Sequence, residues 1–486
     1  MAGVAGDPTD VLDSPEAGGS VVRGGALRAG GYVLGTLVSL AGLALLTRHL
    51  GLEEFGRFSV IVALITVVGA LTDAGMGTLG LREFSQRRGG DRDELMRTLL
   101  GLRLALTVLG AGIAALMALA LGYRPALVLG SALAGVGLVL TVGQTTLGIP
   151  LAASLRNGAL AGVDLLRQVL TVAAYGALVL AGAGTAAFLA VPIPVGIVLL
   201  VLVALLVRGQ VPLRPRVAPR AWAALLRTSI GFALATAVGT IYVYTAQILT
   251  EFVASDQEVG LFAAAFRVFV VLGGVPGLLI TVAFPVLARA ARDDRERLAY
   301  GVGKLVDVCV LLGLGAAVAL ITGAPAIIAV MAGPEFAGAA GVLRIQSIAV
   351  VMSFVLATWG FALLSLHDHR ALLRANALAF GVSAVAVTLL ASRYGAEGAA
   401  FGTVLGEMVL AAGYAVGLSR GRPGLRPRSG VAVKALAVAL PAVGLVFALG
   451  LPAVPAAVVA LALYALGILG LRAVPQELLE LLPGRR

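Results

Sequence analysis

Apolar stretches long enough to cross a bilayer run through almost the whole chain, and they constrain its fold more than any motif does. Beyond the first twenty-odd positions the sequence divides into segments of roughly 20 apolar residues, the length of a helix that spans the hydrocarbon core. Of the 486 residues 59% are hydrophobic and 13% are charged, against about 25% charged in soluble domains. Mean hydropathy is +1.01. The fold class is therefore an all-α integral membrane protein, and a soluble enzyme carried on one anchor is excluded. The net charge of +11 would suggest nucleic acid in a soluble chain; in a membrane chain it must first be read by loop position, and no nucleic-acid partner is expected. Cys309 is the single cysteine and lies in an apolar run, so neither a disulfide framework nor a thiolate metal cluster is available.

Breaks at charges, glycine and proline give about fourteen segments, beginning near residues 25, 57, 98, 125, 160, 185, 226, 258, 301, 339, 371, 396, 431 and 453. Cytoplasmic connections collect Lys and Arg. With the N-terminus inside, the inner regions hold all 36 Lys and Arg except Arg48, Arg57, Arg124, Arg267, Arg344 and Arg393. That alternation places both ends in the cytoplasm, and no outer connection exceeds roughly 20 residues, too short for an outer catalytic domain. Residues 1–22 are polar, glycine-rich and acidic, lack the basic start of a signal peptide, and are expected to be a disordered cytoplasmic tail. The expected organisation is an N-lobe over 23–208 and a cytoplasmic linker over 209–225. A C-lobe over 226–419 follows, then two further helices over 430–472 and a cytoplasmic end over 473–486. Pro192, Pro194, Pro276, Pro285 and Pro441 are expected to interrupt helices, with Pro276 or Pro285 as a hinge.

The chain repeats itself. EFGRFSVIVAL from Glu54 and EVGLFAAAFRV from Glu258 share E-x-G-x-F at the mouth of a helix, and GAGTAAF from Gly182 matches GAEGAAF from Gly395. Both matches fall at equivalent helices of two six-helix halves, with the last two helices outside the repeat. Halves in the same orientation imply a pseudo-two-fold axis along the membrane normal and a cleft between lobes.

LTRHLGLEEFGRF from Leu46, LTDAGMGTLGLRE from Leu71, AFPVLARAAR from Ala283, MAGPEFAGAAGVLRIQS from Met331 and YGAEGAAFGT from Tyr394 stand in an order and spacing that covers nearly the whole chain. In these residues the chain resembles the polysaccharide and O-antigen flippases of the multidrug/oligosaccharidyl-lipid/polysaccharide exporter superfamily. The resemblance implies a two-lobed transporter of the bacterial plasma membrane. It would move an undecaprenyl-pyrophosphate-linked oligosaccharide from the inner to the outer leaflet, with a polysaccharide polymerase or glycosyltransferases as neighbours in the pathway. Members often carry an acidic residue in the middle of the seventh helix; here IYVYTAQILTEF from Ile241 offers Thr245 and Gln247 instead.

Charged side chains at membrane depth are the default functional candidates. Arg267 lies about 13 Å into the helix that starts near Glu258, near the middle of the core, where a guanidinium could grip pyrophosphate oxygens in two places. Glu407, about 16 Å into the twelfth helix, is either its partner or a separate coupling carboxylate. Asp73 lies nearer the cytoplasmic face and caps a helix or pairs with Arg103. Arg28 snorkels from the first turn of helix one or, as the resemblance implies, lines the cleft. Tyr242 and Tyr244 stack on sugar rings or sit in the interfacial aromatic belt. His367, Asp368 and His369 are adjacent in a loop and do not converge on a metal. GVGKL at Gly301 lacks the first glycine and the Ser/Thr of a phosphate-binding loop, so no nucleotide or other cofactor is expected and energy would come from an ion gradient or the membrane potential.

Two other functions fit parts of this pattern. A drug or cation antiporter of the same superfamily would want acidic cleft residues, and a membrane glycosyltransferase or polymerase would want clustered carboxylates or a long catalytic loop. Reporter fusions after Arg428 and at Arg486 are expected to report cytoplasm at both points; an outer signal at either contradicts the orientation.

Overall fold

The computed structural model describes residues 15–154, 156–277, 280, 295–420 and 430–474, without the side chains of 15–33, 157, 231–236, 295, 297 and 298. Every regular element among them is a helix. In chain order these are α1 (Pro15–Asp73), α2 (Met76–Gln86), α3 (Gly90–Ala120), α4 (Pro125–Leu147), α5 (Ile149–Ala153), α6 (Asn157–Leu180), α7 (Thr185–Ala190) and α8 (Pro192–Leu206). There follow α9 (Pro219–Val253), α10 (Asp256–Gly273), α11 (Arg295–Met331), a 3-10 turn at Pro334–Phe336, α12 (Ala339–Ser365), α13 (His369–Ser419), α14 (Gly430–Ala448) and α15 (Ala453–Gly470). Local chemistry sets many of the ends. Proline opens α4, α8 and α9, where its missing N–H costs nothing. Ser255 caps α10 by accepting from the Glu258 N–H, and Asp368 caps α13 by accepting from the Ala371 N–H.

Among the described residues eleven stretches are long and apolar enough to cross a membrane, so the chain is a multi-pass membrane protein. Two of them, Leu34–Gln86 with 53 residues and His369–Ser419 with 51, are more than twice the length of one crossing. Each is broken part-way. Gly51 in α1 has φ +73° and Gly395 in α13 has φ +54°, a left-handed conformation that glycine adopts without a Cβ clash. Leucines such as Leu109, Leu116, Leu180 and Leu466 are exposed on the outside of the bundle, as hydrocarbon requires.

Several expectations are corrected. The helix α1 already begins at Pro15, so the later part of the tail expected over 1–22 is helical. Pro441 lies inside an unbroken α14 and does not interrupt it. Pro285 lies outside the described residues.

The helices form two groups. In the first, α1 packs on α3, α4 and α6, and α4 packs on α3 and α8; in the second, α9 packs on α13, and α12 packs on α10, α11 and α13. The last two helices, α14 and α15, pair with each other and lean on α11. The groups meet chiefly where α1 crosses α9 and α10.

Both repeats of the sequence have a structural purpose at this crossing. Glu54 accepts a hydrogen bond of 2.7 Å from the Thr185 hydroxyl at the start of α7, and Glu258 accepts one of 2.7 Å from the Ala396 N–H, just past the break in α13. Each carboxylate stands at a helix start and meets the positive end of its dipole, one through a threonine hydroxyl and the other through a backbone N–H. The glycines two residues on, Gly56 and Gly260, face each other across the lobes. A Cβ on Gly56 would lie 2.9 Å from the Gly260 nitrogen, and one on Gly260 would run into the Leu52 carbonyl. Around them Phe55, Phe262 and Phe336 are fully buried, with Phe55 and Phe336 edge to face at 5.7 Å.

Gly260→Val forces side-chain atoms into a backbone carbonyl and should disfavour this contact by about 1–3 kcal/mol. With Glu53→Cys and Gln257→Cys introduced in a Cys309→Ser background, disulfide yield across the lobes should fall sharply on adding Gly260→Val. An unchanged yield contradicts the packing described.

Candidate functional site

Polar side chains ring the glycine contact. Arg57 pairs with Glu54 on its own helix at 2.7 Å and with Asp256 at the start of α10, which joins the lobes through charge. Arg124 stands 3.6 Å from Glu54. The Tyr123 hydroxyl donates to Glu251 on α9 at 2.9 Å. Burial, and then the Glu251 carboxylate, raise the Tyr123 phenol far above its ordinary value, so it stays a donor at any physiological pH. On the same side Thr47 donates to the Met331 carbonyl at 3.1 Å, and Arg48 donates to the carbonyls of Ala329 and Val330 at 3.3 and 3.1 Å. None of these residues was expected from the sequence to form a site, although Arg48, Arg57 and Arg124 stood out as cations beyond the inner regions. The one local signal was the repeated E-x-G-x-F, which names Glu54 and Glu258; the partner of Arg57 lies 199 positions away.

A second polar centre lies wholly within the second group. Helices α9, α10, α12 and α13 enclose a cavity of about 430 Å³ whose polar lining is Tyr242, Ser353, Asn376, Glu407 and Tyr414. Glu407 is 4% exposed and accepts a hydrogen bond of 3.1 Å from the Tyr242 hydroxyl. Beside it the Asn376 amide donates to the Tyr414 hydroxyl at 2.9 Å. One neutral hydrogen bond leaves much of a carboxylate's acceptor capacity unused. The oxygens of Glu407, Ser353 and the tyrosines therefore suit a proton or a small hydrated cation more than a phosphate.

The residues singled out from the sequence separate accordingly. Glu407 is not the counter-charge of Arg267: its hydrogen bond goes to Tyr242, and the cavity around it does not include Arg267. The Tyr242 hydroxyl is engaged by that carboxylate, and Tyr244 meets Phe266 edge-on at 5.8 Å, an aromatic pair within the core. Gln247 is buried, and its Nε2 has no hydrogen-bond partner among the described residues. Asp73 pairs with Arg103, whose side chain is 5% exposed, so this charge is neutralised within the first group.

Arg267 is half-buried on α10, within electrostatic reach of the Tyr175 hydroxyl on α6 in the other lobe. Among the described residues it has no ion pair and no hydrogen bond. Arg28 lies on α1 where its side chain is outside the described part. Sequence reasoning assigned Arg167 to an inner loop; the structure sets it in α6, where it donates to the Gln144 side chain of α4.

With this geometry in hand, the comparisons with known proteins are specific. The profile of the family described as polysaccharide biosynthesis protein matches residues 21–291, more than half of the chain. The chain belongs to that family. Among curated proteins nothing matches. Among solved structures the protein is similar to one titled lipid II flippase MurJ, in an inward closed conformation, with a TM-score of 0.75 at 10% identity. That match covers 93% of this chain and 99% of the other. It is also similar to a multidrug resistance MATE family transporter of the MOP superfamily, inward-facing, with a TM-score of 0.65 at 16% identity, covering 82% of this chain and 98% of that one. A further likeness, with a TM-score of 0.58 at 16% identity over 82% and 95% of the two chains, is to a MOP superfamily transporter from Pyrococcus furiosus. Its title speaks of a binding pocket of reverse polarity. The family member described here therefore has the two-lobed fold of these transporters, and these structural neighbours are transporters and flippases, not enzymes.

Tyr242→Phe removes the donor to a buried carboxylate and should cost about 1–3 kcal/mol, read as a lower Tm of the purified protein in detergent. Glu407→Gln keeps an acceptor for Tyr242 and removes the buried charge, so its Tm should equal or exceed that of the wild type. The reverse order rules out the hydrogen bond as drawn.

Proposed function

We propose that the protein is a flippase of the bacterial plasma membrane that moves a lipid-linked oligosaccharide, built on undecaprenyl pyrophosphate, from the inner to the outer leaflet. The observation that carries this reading is Arg267, an arginine within electrostatic reach of the other lobe with no counter-charge among the described residues, in a chain whose family is named for polysaccharide biosynthesis. A charged side chain in hydrocarbon costs several kcal/mol unless paired or facing a wet cavity. An unpaired guanidinium between lobes is the group that a pyrophosphate would supply with its missing partner.

The physical problem of the substrate fits this arrangement. Pyrophosphate and sugars lose their hydration in hydrocarbon, at a cost no lipid tail repays. A wet cleft between lobes offers the head group a polar route while the tail stays among the lipids. The contact around Gly56 and Gly260, with Arg57 and Asp256 beside it, closes one end of that route, and its parting would open it. Fourteen crossings with both termini in the cytoplasm would put this closed end outside. Glu407, in its own cavity, is placed to take up and release a proton or small cation as the second lobe moves, which would couple transport to an ion gradient. The likeness to a structure titled lipid II flippase favours a lipid-borne cargo over a soluble drug; the same chemistry would serve a peptidoglycan precursor, which differs in its head group.

Deleting the gene should make one saccharide-bearing lipid accumulate with its head group in the inner leaflet, detected by mass spectrometry with a membrane-impermeant label, and its mass reveals the head group. Arg267→Ala should give the same accumulation with folded protein still in the membrane. Absence of accumulation together with altered drug susceptibility would favour an antiporter. An unpolymerised intermediate in the outer leaflet would favour a polymerase.

A further inference from the structure

At the end of the first lobe remote from the glycine contact, three connections come together: α2 to α3, α5 to α6, and α8 to α9. Between them lies a second cavity of about 430 Å³, lined by Phe84, Ser85, Arg92, Pro150, Ser154 and Gln210 among others. Its one charged lining residue is Arg92. The guanidinium carbon lies 4.4 Å from the centre of the Phe84 ring, a cation–π contact that fixes the plane of the head. The Arg92 Nε is buried, and the side chain has no hydrogen-bond or ion-pair partner among the described residues. Asp91 and Asp93 flank it in the first turn of α3, but both are exposed and neither pairs with it. The nearby arginine of the linker is committed elsewhere, since Arg216 pairs with Glu94 at 2.7 Å.

A buried N–H without an acceptor is costly, and natural structures rarely leave one without a reason. Here the reason is beside it, in the form of a cavity with further polar groups at its rim. Gln210 spends one amide hydrogen on the Leu206 carbonyl at 3.1 Å and has a second to give. The hydroxyls of Ser85 and Ser154 hold their own helices through Leu81 and Pro150, and each can rotate toward a better acceptor. Arg88, Arg156 and Arg208, on the same three connections, are exposed and form no ion pair among the described residues, which sets three cations against the two carboxylates of Asp91 and Asp93. A stacked guanidinium without an acceptor, an amide hydrogen to spare and two hydroxyls, with no carboxylate in the lining among the described residues, describe an anion site.

We infer that this cavity binds a phosphate group, held by Arg92 with Gln210 and the two serines. Its position at the arginine-rich end of the helices admits two carriers of that phosphate, the head group of an anionic membrane lipid and a free phosphate compound of the aqueous phase. The inference is independent of what the central cleft transports. Because Gln210 belongs to the connection between the lobes, occupancy would also fasten that connection to α3, where Arg216 already meets Glu94 and the Arg97 carbonyl.

The test uses the full-length protein in detergent, with native mass spectrometry against short-chain phosphatidylglycerol or phosphatidylcholine and equilibrium dialysis against radiolabelled inorganic phosphate. Retention of phosphatidylglycerol without inorganic phosphate identifies a lipid head group; binding of both identifies a site open to free phosphate. In either case Arg92→Gln should weaken binding at least about tenfold, the worth of a charged hydrogen bond, and Arg374→Gln, on an exposed arginine of α13 in the other lobe, should not. Gln210→Glu, on an exposed side chain that leaves the Arg92–Phe84 contact intact, should weaken it equally by placing a carboxylate at the rim. No binding of either probe by the wild type, or undiminished binding by both Arg92→Gln and Gln210→Glu, overturns the inference.

Discussion

Helix starts carry the positive end of the helix dipole, and two glutamates at equivalent places of the two lobes sit at such starts. Glu54 reaches the start of α7 and Glu258 reaches the restart of α13. A carboxylate so placed is itself stabilised by the helix dipole and by its donor, so two costly features offset one another. The consequence is positional. Each glutamate stands two residues before a glycine, and fixing the glutamates brings Gly56 and Gly260 into backbone contact on the line between the lobes. Phenylalanines then fill the space around that contact, and Arg57 bridges to Asp256.

Charge inside the bundle falls into three kinds of setting. Asp73 and Arg103 neutralise each other within one lobe. Glu407 keeps a single phenolic partner in a cavity of its own lobe. Arg267 lies within electrostatic reach of Tyr175 in the other lobe and has no ion pair among the described residues. A buried pair of opposite charges cannot change protonation cheaply, whereas an isolated carboxylate or guanidinium answers to whatever arrives. Arg92 repeats this logic at the end of the first lobe, in an aqueous setting where stacking on Phe84 substitutes for an ion pair.

Much of this was legible before any coordinates. Hydropathy sets helix length, and helix starts expected near 125, 185, 339 and 453 coincide with Pro125, Thr185, Ala339 and Ala453. They do so because proline, a preceding glycine or a polar turn stops the previous helix at the same place. The repeat was visible, and so was the candidacy of Arg267 and Glu407, since a charge in an apolar run needs no structure to be conspicuous. Their supposed pairing was not decidable. Two residues at equal depth on different helices differ in azimuth, and the azimuth follows from packing. The aromatic reading of Tyr242 failed to anticipate Glu407 for the same reason, because the donor and its acceptor are 165 positions apart.

The sequence alone determined that this chain crosses the membrane many times, where most crossings begin, that its two halves are related, and which family it resembles. Those properties are local or periodic along the chain, and the energy of burying apolar length in hydrocarbon is large enough to override detail. Tertiary structure decided which charges are spent and which are free. It joined Arg57 to Asp256, gave Glu407 to Tyr242 and set Arg92 over Phe84 beside a cavity, because hydrogen bonds and ion pairs act over about 3 Å and only folding brings such distant residues that close.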